Sequence, residues 1–160
     1  MSQQNPGQLI QVPNTLRLKV GGRFGAIDPG AIAKAEAALK SLSGNFAQWL
    51  QDEVVKLEAA RQRVKADGVT AETMESLYLR AHDLKGLGAT YEFPLITRIA
   101  ASLCRLIDDK TKRLTAPMAL VDAHIDGVKA AIRDNIKTDD HPVGLVLVTE
   151  LERRVAEMGL

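Results

Sequence analysis

Three histidines and a single cysteine, set among interspersed carboxylates, are the side chains of this 160-residue chain best suited to chemistry. His82 has the most unusual neighbourhood: Ala81-His82-Asp83-Leu84-Lys85-Gly86-Leu87-Gly88-Ala89-Thr90. A neutral imidazole near pH 7 is a competent nucleophile, since its unperturbed pKa is about 6.5. On a helix, at about 100° per residue, Met74, Leu77, Ala81, Leu84 and Gly88 turn to the core. His82, Lys85, Gly86 and Ala89 then share an adjoining stripe, and Leu79 extends it one turn towards the N-terminus. The spacing predicts an exposed His82 with a lysine one turn away and little side-chain bulk beyond it.

The two glycines sharpen this reading. Each glycine inside a helix costs about 1 kcal/mol relative to alanine. On the inner side, Gly88 is explained by close helix packing. Gly86 lies on the outer stripe, where no packing asks for it, and a missing side chain there admits a partner's backbone or a phosphoryl group. Phosphoryl transfer needs mainly in-line positioning and compensation of charge on the phosphoryl oxygens. Lys85 can supply that charge to a phosphohistidine. The chain has no phosphate-cradling loop for a nucleotide and no acidic cluster for a bound magnesium ion. His82 is therefore expected to hold a phosphoryl group without drawing one from ATP, which makes the chain a carrier rather than an autonomous kinase. Donor and acceptor are both expected to be proteins.

The string His82-Asp83-Leu84-Lys85-Gly86, followed by Gly88-Ala89 and Tyr91, resembles the signature of histidine-containing phosphotransfer (HPt) domains. The resemblance continues through Pro94 into Ile99-Ala100-Ala101-Ser102-Leu103 and covers residues 31–136. It implies that His82 is the phosphoacceptor, Lys85 the neighbouring charge and Gly86 the clearance for docking. Leu79, Gly86 and Ala89 become the partner-binding surface. The partners it implies are receiver domains of response regulators or hybrid histidine kinases, with magnesium on the receiver only and no cofactor on this chain. Leu87 and Glu92 depart from the pattern, standing where the family usually has a small residue and a helix-closing glycine. Pro94 is expected to stop the helix instead.

The other candidates have plainer readings. His124 flanks the Val121, Ile125, Val128 stripe as a boundary residue, and His141 beside Pro142 belongs to a loop. With Cys104 the three histidines show no metal-ligand spacing, so no metal site is expected. Cys104 reads as a small buried hydrophobe, and Trp49 as a core or rim residue. Arg17, Lys19 and Arg23 form a small, solvated basic patch.

The elements that must position His82 follow from composition and period. Aromatic residues are scarce at 4%, which favours helices, because aromatic and β-branched side chains lose more freedom there. Residues 1–27, with Pro6, Pro13 and Gly21-Gly22, read as an N-terminal arm, partly disordered or extended; Leu16-Arg17-Leu18-Lys19-Val20 alternates briefly like a strand. Residues 28–160 read as one HPt-like helical domain. Asp28-Pro29 opens a helix that Ser41, Ser43 and Gly44 interrupt, with Ser43 capping a longer one. That longer helix carries Phe46, Leu50, Val54, Leu57 and Val64 and ends at Asp67-Gly68. Thr70 caps the His82 helix. Ile96, Ile99, Leu103, Leu106 and Ile107 mark the next helix, and a further one opens at Thr115 and Pro117 with Val121, Ile125, Val128 and Ile132. Residues 138–142 form a loop. Val148, Leu151, Val155 and Met158 mark the last helix, whose start, residues 143–148, is ambiguous between helix and strand. The expected fold is all-α: an antiparallel four-helix bundle with flanking helices and the arm.

With 21 basic and 20 acidic residues interspersed, the chain carries no electrostatic footprint for nucleic acid or a membrane surface. One cysteine forbids an internal disulfide, and the N-terminus shows no signal peptide. A cytoplasmic monomer is the expectation. The competing functional class is an interaction module that regulates a receiver or kinase by binding alone, without phosphoryl chemistry.

Overall fold

The computed structural model of the chain describes residues 28–160. It contains five α-helices: α1 (Pro29–Asp67), α2 (Ala71–Leu87), α3 (Pro94–Ile107), α4 (Met118–Arg133) and α5 (Pro142–Ala156). A short 3₁₀ turn, Lys112–Thr115, precedes α4. No strand occurs among the described residues, so the chain is all-α there. The expected arm, with its strand-like segment and basic patch, lies outside the described residues.

Two units divide the chain, Met1–Ala38 and Leu39–Leu160. In the first, residues 28–38 are helical from Pro29, and Asp28 opens the helix as its sequence suggests. Its side-chain oxygen accepts from the Gly30 nitrogen at 3.0 Å, satisfying a donor that the first turn leaves free.

In the second unit the core is built around α3. Nine of its 14 residues are buried, which requires neighbours on most of its circumference: α2, α4 and α5 all pack on it. The stripe Leu50, Val54, Leu57, Ala60 and Val64 of α1 joins the same apolar cluster as Met74, Leu77 and Leu84 of α2. Each fully buried leucine or isoleucine in it contributes about 1.5–3 kcal/mol relative to exposure.

Several local expectations are corrected. Ser41, Ser43 and Gly44 do not interrupt α1, which runs unbroken for 39 residues. The Ser43 hydroxyl donates to the Lys40 carbonyl at 3.0 Å, a bond within the helix rather than a cap. Residues 143–148 are helical, with Pro142 in the first turn and His141 as the N-cap, its Nδ1 accepting from the Val143 nitrogen at 3.2 Å. Helix α4 begins at Met118 after Pro117, while Thr115 closes the 3₁₀ turn. Met158 falls beyond the end of α5 and is exposed.

Helix α2 has well-defined ends. Thr70 and Thr73 bond reciprocally at its start, as in a capping box. At its far end Pro94 is not the stop. Glu92 adopts φ 65°, the Phe93 nitrogen reaches back to the Gly88 carbonyl at 2.8 Å, and the Glu92 nitrogen to Ala89 at 3.1 Å. That is a Schellman closure with a glutamate in the left-handed position that glycine favours. Pro94 instead begins α3.

Candidate functional site

Helix α2 divides as its period requires. Met74, Leu77, Ala81 and Leu84 are fully buried, whereas Leu79, His82, Lys85, Gly86 and Ala89 are exposed. Leu79, His82, Lys85 and Gly86 thus share the solvent side of one helix, and Ala89 lies exposed just past its end. Among the described residues the His82 imidazole has no hydrogen bond or ion pair, and Lys85 has no ion pair. Asp83 is drawn aside by Arg80 at 3.3 Å.

The glycines separate cleanly. A Cβ built on Gly86 meets nothing within 4 Å, so no contact in the fold accounts for glycine there. A Cβ on Gly88 would fall 2.6 Å from both the nitrogen and Oγ1 of Thr97. The Thr97 hydroxyl in turn accepts from the Ala89 nitrogen at 2.8 Å, tying the end of α2 to α3. Gly88 serves packing, and Gly86 leaves open space one turn from His82.

Tyr78 borders the site. In the structure its ring is half-buried and lies beside His82, the centroids 6.1 Å apart. Its hydroxyl donates to Asp108 at 2.8 Å, which pushes the phenol pKa up, and the Arg113 guanidinium sits 4.6 Å over its ring. Arg113 is buried and also bonds Glu75 at 2.5 Å and the Asp108 carbonyl at 2.7 Å. The i, i+4 spacing of Tyr78 and His82 was the available signal. Asp108 and Arg113, 30 and 35 residues from Tyr78, gave none.

The remaining candidates lie elsewhere. Cys104 is buried as expected, and burial pushes its thiol up to about 11 against a smaller opposing effect of Lys85. His124 is not a boundary residue but fully buried. Its Nδ1 lies 2.7 Å from the Leu120 carbonyl, which can only accept, so Nδ1 carries the proton and Nε2 accepts from the Ser102 hydroxyl at 2.9 Å. Desolvation lowers its pKa. Trp49 is exposed and forms an aromatic cluster with Phe46 and Tyr91, at centroid distances of 5.5 to 5.9 Å. No group of three or more metal-ligating side chains occurs among the described residues, and no helix there is long and apolar enough to cross a membrane.

An exposed imidazole, an uncommitted ammonium one turn away and open space beside them can accept an anionic group presented by another macromolecule. They do not enclose a small substrate. No family model matches the chain, no curated protein matches it, and no solved structure matches it.

Proposed function

We propose that this chain is a histidine phosphotransfer protein, in which His82 takes a phosphoryl group from a receiver-domain aspartate and passes it to another receiver. The observation that carries the reading is the clearance over Gly86, one turn from an exposed His82 with no partner of its own among the described residues. In this reading α1 to α4 are the four-helix bundle of an HPt domain, and α5 is an addition to it.

The chemistry is simple. A ring-nitrogen lone pair of neutral His82 attacks phosphorus, and the bond from phosphorus to the receiver's aspartate oxygen breaks. The electron pair leaves with the carboxylate, and the imidazolium proton passes to water. Lys85 offsets charge on the phosphoryl oxygens. A magnesium ion on the receiver would supply further charge compensation. Gly86 and Ala89 let the receiver's backbone approach, and Leu79 gives it an apolar contact.

Wild-type protein and His82→Gln, mixed with a panel of phosphorylated receiver domains, test the reading. Acid-labile label is expected on the wild type within seconds to minutes and none on the variant, whose helix content is unchanged. Label on both, or on neither, overturns it. Binding without uptake, surviving His82→Ala, would instead identify an interaction module.

A further inference from the structure

Helix α1 carries a second surface, at whose C-terminal end Phe46 and Trp49 also pack on Tyr91. Burial in the second unit begins only at Leu50; before it Leu39, Leu42 and Trp49 are 64%, 47% and 38% exposed, and Phe46 is half-buried. Their spacing is three and four in alternation, the a and d positions of a heptad. In the sequence the same spacing runs back through Ala35 to Ile32.

Charge is missing from this stretch. Residues 41–51, Ser-Leu-Ser-Gly-Asn-Phe-Ala-Gln-Trp-Leu-Gln, hold no charged side chain in a chain that is 26% charged. A solvated helix face normally carries charge, and depletion of charge with aromatic enrichment marks the centre of protein interfaces. The positions flanking the seam are small: Ala38, Ser43 and Asn45. Small flanks let a second helix approach closely.

We propose that this seam pairs with the same seam of a second copy, making the protein a homodimer through α1. A heptad stripe needs a helix bearing a matching stripe, and no other helix among those described leaves a heptad seam of large apolar residues exposed. The exposed parts of Leu39, Leu42, Phe46 and Trp49 come to roughly 400 Å² per chain, about half of one partner's share in a standard-size interface, and the small flanking residues supply further area. A patch of that size belongs to a weak, concentration-dependent dimer.

The test is sedimentation velocity on the full chain from about 1 to 200 µM, with Leu42→Glu and Leu39→Glu compared with Val146→Glu. Val146 is 69% exposed and lies on α5, away from the seam. A concentration-dependent dimer that both α1 variants abolish and Val146→Glu retains is the expected result. A wild type that stays monomeric to 200 µM overturns the proposal, as does a dimer that the α1 variants leave intact. Circular dichroism of each variant checks that helix content is kept, since all three positions are exposed. Labelling of His82 does not enter the readout, so the dimer stands or falls apart from the phosphotransfer reading.

Discussion

Gly88 and Thr97 meet with no room between them: a Cβ on Gly88 would lie 2.6 Å from the Thr97 backbone nitrogen. Gly86, two residues earlier on the same helix, faces open space. The two glycines therefore respond oppositely to the same substitution. Gly88→Ala must push α2 away from α3 and is expected to cost about 2–3 kcal/mol. Gly86→Ala removes the flexibility of glycine from a helix and is expected to stabilise by about 1 kcal/mol. Urea unfolding of the two variants checks this, and equal signs would show that the helix contact has been misread.

A stabilising change that harms function is the mark of a residue kept for a partner. If His82 carries the phosphoryl group, Gly86→Leu should fold at least as well as wild type yet take up label about 100-fold more slowly. Single-turnover rates from one phosphorylated receiver would show it. An unchanged rate means the receiver does not pass over this position.

The period of α2 made its two faces legible, because an apolar residue every third or fourth position leaves few alternatives for where Ala81 and His82 point. The unbroken α1 was not legible. Ser41, Ser43 and Gly44 have poor helix propensity, but they are too few to outweigh a helix continued on both sides. His124 escaped for a different reason. A polar side chain on an apolar stripe reads as a boundary residue unless its partners are known, and Ser102 lies 22 residues away. Arg113 likewise shows its role only once α2, α3 and the 3₁₀ turn are brought together.

Glu92 occupies the left-handed position that closes α2, with φ 65° and an exposed side chain. A Cβ in that conformation costs roughly 1–2 kcal/mol, partly offset by the greater freedom glycine has when unfolded. Glu92→Gly is thus expected to stabilise by about 1 kcal/mol. Thermal unfolding would register this as a higher midpoint, whereas a lower one would mean the carboxylate has a stabilising partner.

Arg113 joins three elements through Glu75, the Asp108 carbonyl and the Tyr78 ring. Its loss leaves Glu75, itself 43% exposed, free to regain water, so the penalty is smaller than for a fully buried pair. Arg113→Met is expected to cost about 2 kcal/mol, the methionine filling part of the space. The Tyr78 phenol, raised chiefly by its bond to Asp108, should move once that neighbourhood loosens. Spectrophotometric titration of tyrosine in the variant follows it, and an unmoved titration would mean that Asp108 holds Tyr78 unaided.

His124 ties the stability of the fold to pH. Desolvation lowers its pKa in the folded state below the ordinary 6.5, while the unfolded chain keeps about that value. Between the two values the unfolded state binds the proton and the folded state does not. Stability is therefore complete above pH 6.5 and lost as pH falls below it, by at most about 1.4 kcal/mol per pH unit. Glu58 does not blur this window, because its contribution is lost only as pH falls below its ordinary 4.5. Burial raises its pKa, but hydrogen bonds from Gln62, Arg61 and Lys129 outweigh burial and hold it at about 2. Denaturant unfolding at pH 7.5, 6.5 and 5.5 should show the decline in the wild type and a flatter profile in His124→Gln, which cannot take up a proton. Parallel profiles would assign the acid sensitivity to another group.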